Sequence, residues 1–145
     1  MNQTDHAPNG DGWRRSFADQ SQIEFAEQLA DKIVLEATTL SKPAEGKHIV
    51  AAVLTAASSI YEKLEFTAEA QIASTTCLQW RATAFGGMQI DGVTVLERDA
   101  NGKIVAAAIH HRPLGPALRF SAEMRDRLAG VIPADHFLDK SIWRS

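Results

Sequence analysis

The stretch Met88–Pro113, MQIDGVTVLERDANGKIVAAAIHHRP, does most to limit what this chain can fold into. Two apolar runs, Val93–Leu96 and Ile104–Ile109, flank Asp99-Ala100-Asn101-Gly102. Asn-Gly accepts the positive φ angles of a tight connection, so the stretch predicts a β-hairpin. The second arm ends in His110, His111 and Arg112, the densest group of nitrogen-bearing side chains in the sequence. Everything upstream reads as helices and strands that fold against this hairpin.

Thr75–Phe85 predicts the neighbouring strand, with Leu78, Trp80, Ala82 and Ala84 on one face and Gln79, Arg81 and Thr83 on the other. Leu64–Ser74 predicts another. Gly86-Gly87 turns the chain into the hairpin. Before them, Lys47–Lys63 carries the strongest helical pattern, an apolar stripe of Ile49, Val50, Val53, Leu54, Ala57, Ile60 and Tyr61. Lys47, Thr55, Ser58 and Glu62 fall outside that stripe. Asp11 is expected to cap a first helix bearing Trp13 and Phe17. A second helical segment runs through Ile23, Phe25, Ala26, Leu29 and Ala30, then a short strand Ile33–Glu36 and a loop Leu40–Gly46. After Arg112-Pro113-Leu114-Gly115-Pro116 breaks the sheet, a last helix is expected over about Ala117–Ala129, stopped by Gly130. Its buried stripe is Ala117, Phe120, Ser121, Met124 and Leu128.

Helices gathered ahead of a run of strands indicate an α+β fold, with a strongly curved antiparallel sheet packed on N-terminal helices and an extra C-terminal helix. The expected organisation is a polar, disordered lead-in over 1–10, one domain over 11–130 and a tail over 131–145, with Phe137 and Trp143 as anchors. Fifteen Lys and Arg against eighteen Asp and Glu give a net charge of −3, with no basic stripe for nucleic acid. No apolar run is long enough to span a bilayer, and the polar first residues lead us to expect no signal peptide. Cys77 is the single cysteine, which excludes an internal disulfide and a multi-cysteine zinc site. No metal or other cofactor is expected, since no His and carboxylate set stands at ligand spacing. A cytoplasmic location follows as the plain reading.

The segments FAEQLADKIVLEATTLSKPAEGKHIVAAVL and ERDANGKIVAAAIHHRP resemble the nuclear transport factor 2-like superfamily, and more narrowly its SnoaL-like branch, over roughly residues 12–130. The resemblance implies a cone built from a curved sheet around helices, an apolar cavity, and homodimers formed through the outer sheet face. Its members include ketosteroid isomerases, polyketide cyclases, epoxide hydrolases and proteins that only bind or scaffold. In this register Trp13 stands at the isomerases' oxyanion-hole tyrosine, Ala37 at their general-base aspartate and Thr94 at their protonated aspartate. Ile109 stands where cyclases and epoxide hydrolases carry an aspartate. None of the four supplies that acid–base chemistry.

His111 shares strand parity with Ile109 and is the remaining candidate for proton transfer near neutral pH. The alternative is a histidine bonded to a backbone group at the strand's end. Glu36 precedes Ala37 and faces away from the cavity in this register. A one-residue slip would make it the base and His111 the acid, on a carbonyl or polyketide-like substrate. Trp13, Phe17, Ala37, Tyr61, Trp80, Thr94, Leu96 and Ile109 are the candidate pocket for a small apolar organic ligand. Three functions stay open: ligand binding with or without proton transfer, a dimeric scaffold without catalysis, and an epoxide hydrolase-like site using Arg81.

Overall fold

The computed structural model describes residues 9–138. Two helices, α1 (Asp11–Asp19) and α2 (Gln22–Gln28), lead into strand β1 (Leu29–Ala37) and the two-residue strand β2 (Ala44–Glu45). The long helix α3 (Lys47–Ile60) follows. Next come β3 (Lys63–Ile72), β4 (Thr75–Ala84), β5 (Met88–Arg98) and β6 (Ile104–Arg112). Helix α4 (Leu114–Arg127) and a 3-10 turn, Ala134–His136, complete the described chain.

The strands form one open sheet in the order β2-β1-β6-β5-β4-β3. β3 to β6 are an antiparallel meander, as expected, but β1 runs parallel to β6. The sheet is therefore mixed. β1 reaches β6 through the whole of α3 and the meander, so no hairpin constrains its direction. Register shifts between Leu29 and Val34, Phe66 and Ala68, and Glu97 and Arg98 mark irregular ladders that bend the sheet around the helices.

Alternation decides which side chains turn inward. Leu35, Ala107, Leu96 and Thr76 form one buried row across four strands. Ala37, Ile109, Thr94 and Leu78 form the next. His111, Gly92, Trp80 and Phe66 form the third, toward the open end. α3 lies on this concave face through Val50, Val53, Leu54 and Ile60, and α4 through Ala117, Phe120 and Met124. Trp13 and Phe17 each meet Phe25 edge-on and each other at a tilt, with centroids 5.0 to 5.8 Å apart, joining α1 to α2.

Several local expectations need correction. Gly10, not Asp11, precedes the first helical residue, and the Asp11 carboxylate pairs with Arg14. Leu29 and Ala30 belong to β1: α2 lasts only to Gln28, and Leu29 pairs with Ile104 of β6. Ser58 is buried despite its polarity, since its hydroxyl donates to the Thr55 carbonyl at 2.7 Å. Tyr61 lies just past α3 in extended backbone. The loop 40–46 contains β2. α4 begins at Leu114, and Pro116 sits within the first turn, where an N–H has no helical partner to lose. Gly130 has φ +83° in the turn beyond the helix.

The hairpin turn is also tighter in chemistry than Asn-Gly alone suggests. Only Gly102 takes a positive φ, and the Asp99 carboxylate accepts from the amides of Asn101 and Lys103. Phe137 is buried, and Ser121 Oγ accepts from the Leu138 amide while donating to the Thr39 carbonyl. Trp143 and residues 1–8 of the expected lead-in lie outside the described residues.

Candidate functional site

The concave side of the sheet, α1, α3 and α4 enclose a hollow of about 30 Å³, room for roughly two waters. Trp13, Phe17, Ala37, Tyr61, Trp80, Thr94, Ile109 and His111 all line it. Leu35, Thr39, Leu40, Val53, Leu54, Ala57, Leu64, Phe66, Phe120 and Met124 complete the wall. Among the described residues no Asp, Glu, Lys or Arg takes part.

Three sequence candidates do not reach it. Leu96 lies one row deeper and is closed over by the core. Glu36 is exposed, because its parity is opposite to that of Leu35 and Ala37, which turn inward. The slipped register that would make it a base is not the one β1 adopts against β6. Arg81 is exposed on the outer face, so the arginine an epoxide hydrolase-like cluster needs is absent from the hollow.

Gly92 sets the geometry at the open end. It sits opposite Trp80 on one side and His111 on the other. A Cβ there would collide with the Trp80 ring and the His110 carbonyl. Its absence lets the indole lie across the strand, with its centroid 5.5 Å from that of His111. The Trp80 indole N–H donates to Thr94 Oγ1 at 3.0 Å, which fixes the ring. Phe120 of α4 approaches His111 from another side at 5.7 Å. Tyr61 contacts both Trp80 and Phe120, at 5.7 and 5.0 Å.

The backbone around His111 is clasped by Thr38. The His111 amide donates to Thr38 Oγ1 at 2.9 Å, and the Thr38 amide donates to the Ile109 carbonyl at 3.0 Å. The residue keeps a little exposed surface, yet its Nδ1 has none and finds no hydrogen-bond partner. Burial holds its pKa down, to about 4; the Ile109 carbonyl opposes the shift and His110 adds to it. At neutral pH the ring is uncharged. The Tyr61 phenol is pushed upward by burial and remains protonated. Its hydroxyl makes no hydrogen bond among the described residues.

Thr38, Gly92 and Phe120 escaped attention in the sequence as parts of this arrangement. Gly92 did leave a signal: a glycine inside an otherwise regular strand marks a close approach. Thr38 left none, since its bonds form with a segment 73 residues away. Among the described residues no three His, Cys, Asp or Glu side chains gather as a metal site. No helix of the described residues is long and apolar enough to cross a membrane.

No protein-family model and no curated protein sequence matches the chain. Solved structures do. A bacterial protein from Silicibacter pomeroyi described as uncharacterized, with a cystatin-like fold, superposes with TM-score 0.77 at 18% identity, covering 83% of this chain and 87% of that one. A steroid delta-isomerase from Pseudomonas aeruginosa gives TM-score 0.75 at 21% identity, with 81% and 87% covered. A nuclear transport factor 2-like protein of unknown function from Mesorhizobium loti gives 0.64 at 17% identity, with 72% and 90% covered. These likenesses are to the fold and do not single out the SnoaL-like branch.

Proposed function

We propose that this nuclear transport factor 2-like cone serves as a binding module for a small apolar molecule, with His111 as its polar anchor. The observation that carries the reading is the His111 Nδ1 atom, stripped of solvent and unpartnered in an otherwise apolar wall. A buried polar atom without a partner costs about 1–3 kcal/mol, and a guest that supplies the partner removes the cost. Binding without isomerase-type turnover is favoured because no carboxylate of the described residues lines the hollow and Glu36 is exposed. The likeness to a steroid delta-isomerase supports a cavity-binding role and lends no catalytic residue.

The test uses toluene as an uncharged apolar probe and follows the methyl resonances of Ala37, Ala57 and Ile109 by NMR. Saturable shifts are expected, and Ala57→Phe, which fills the hollow, should abolish them. No saturable shift up to the solubility of toluene would sink the reading.

A homodimer through the outer sheet face accompanies this proposal. That face presents Val34, Cys77, Val93, Val95, Ala106 and Ala108, all half-buried in the isolated chain. Small apolar side chains across four adjacent strands favour contact with a second flat sheet.

A further inference from the structure

The hollow discriminates by chemistry as well as by size. An anion inside it would meet no cation: α1, β1, α3 and α4 contribute only uncharged side chains to the wall, and the strands add only His111 as a base. His110 and Arg112, its chain neighbours, are exposed. The other titratable group of the wall, Tyr61, keeps its proton, and burial keeps His111 neutral. A buried, unpaired charge is too costly for such a site, so the guest is uncharged.

The remaining polar demand is specific. The His111 ring is wedged between Trp80 and Phe120, and its Nδ1 is buried there without a partner. In the neutral ring that nitrogen carries either a lone pair or an N–H, and a hydroxyl group, which both donates and accepts, answers either. The surrounding aromatic faces and edges suit a guest that is itself aromatic.

The way in limits its size. Phe17, Tyr61, Leu64 and Phe66 line both the hollow and an outer cleft beside Arg14 and Lys63, so these four side chains separate it from solvent. At rest the space is about 30 Å³, and admitting even one ring requires them to move.

Resting on the reading of the hollow as a binding site, we propose that the ligand is a compact, uncharged aromatic hydroxyl compound of the phenol class, whose hydroxyl group hydrogen-bonds His111 Nδ1. The test is calorimetric titration of the full chain with phenol, toluene and benzoate at pH 7. Phenol is expected to bind about tenfold more tightly than toluene, and benzoate not at all. In His111→Phe the order of phenol and toluene should reverse, because the phenol hydroxyl then loses its hydrogen-bond partner. The three-probe comparison on the unaltered chain decides the matter even where that variant fails to fold. Toluene binding as tightly as phenol overturns this inference and leaves the binding site standing. Benzoate binding overturns it through the charge argument. Binding of none of the three removes the site itself.

Discussion

His111 couples the hollow to pH with a definite sign. Its pKa lies at about 4 in the folded chain and near 6.5 when unfolded, so between these values the unfolded chain binds more protons. The stabilisation from keeping the ring neutral is complete above the higher value and is lost as pH falls toward the lower one. It amounts to at most about 3 kcal/mol. Urea midpoints measured from pH 7 to pH 4 should therefore fall more steeply for the native sequence than for His111→Phe. Equal slopes would show that the ring is better solvated than its surroundings indicate. Gly92→Ala tests the neighbouring contact: the added Cβ meets the Trp80 ring and the His110 carbonyl. A loss of about 1–3 kcal/mol is expected, together with a shifted indole N–H resonance for Trp80. At this scale the sequence told much through strand parity, which separates Trp80, Thr94, Ile109 and His111 from Gln79, Arg81 and His110. It could not reveal Leu96 as one row too deep, because depth along a strand depends on where the helices stop covering it.

Elements were legible where their own residues decide them. The meander and α3 follow from periodicity, and their observed bounds differ from expectation by a few residues. The start of β1 was not legible, since Leu29 and Ala30 fit a helical stripe as well as a strand. Tertiary pairing with β6 settles the choice. The turn before β5 shows the same dependence. Phe85, Gly86 and Gly87 all take positive φ, and the Glu62 carboxylate accepts from both glycine amides at 2.8 and 2.9 Å. Glu62→Ala should cost about 1–2 kcal/mol and speed hydrogen exchange at those two amides, with exchange at the hairpin turn near Gly102 unchanged. For α2, Ser21 Oγ accepts from the Glu24 amide at 3.1 Å, and Ser21→Ala should cost about 1 kcal/mol in urea unfolding.

On the scale of the whole molecule, the segment after α4 is part of the core and not an appendage. Ile132 and Phe137 are buried in it, and Ser41 and Ser121 bond the backbone of residues 136–138. Ending the chain at Gly130 should lower stability by about 3–5 kcal/mol, measured by denaturant unfolding. The proposed homodimer makes a separate prediction: Val95→Lys should shift sedimentation to the monomer without moving the toluene response, because its side chain faces away from the hollow. The parallel seam between β1 and β6 carries a consequence for synthesis. Thr38 leaves the ribosome long before His111, the residue 73 positions later that completes its clasp. Until then β1 has no partner on that side, and its apolar edge is open to a chaperone or to another nascent chain. The final arm of the hairpin thus acts as the lock that ends this vulnerable interval.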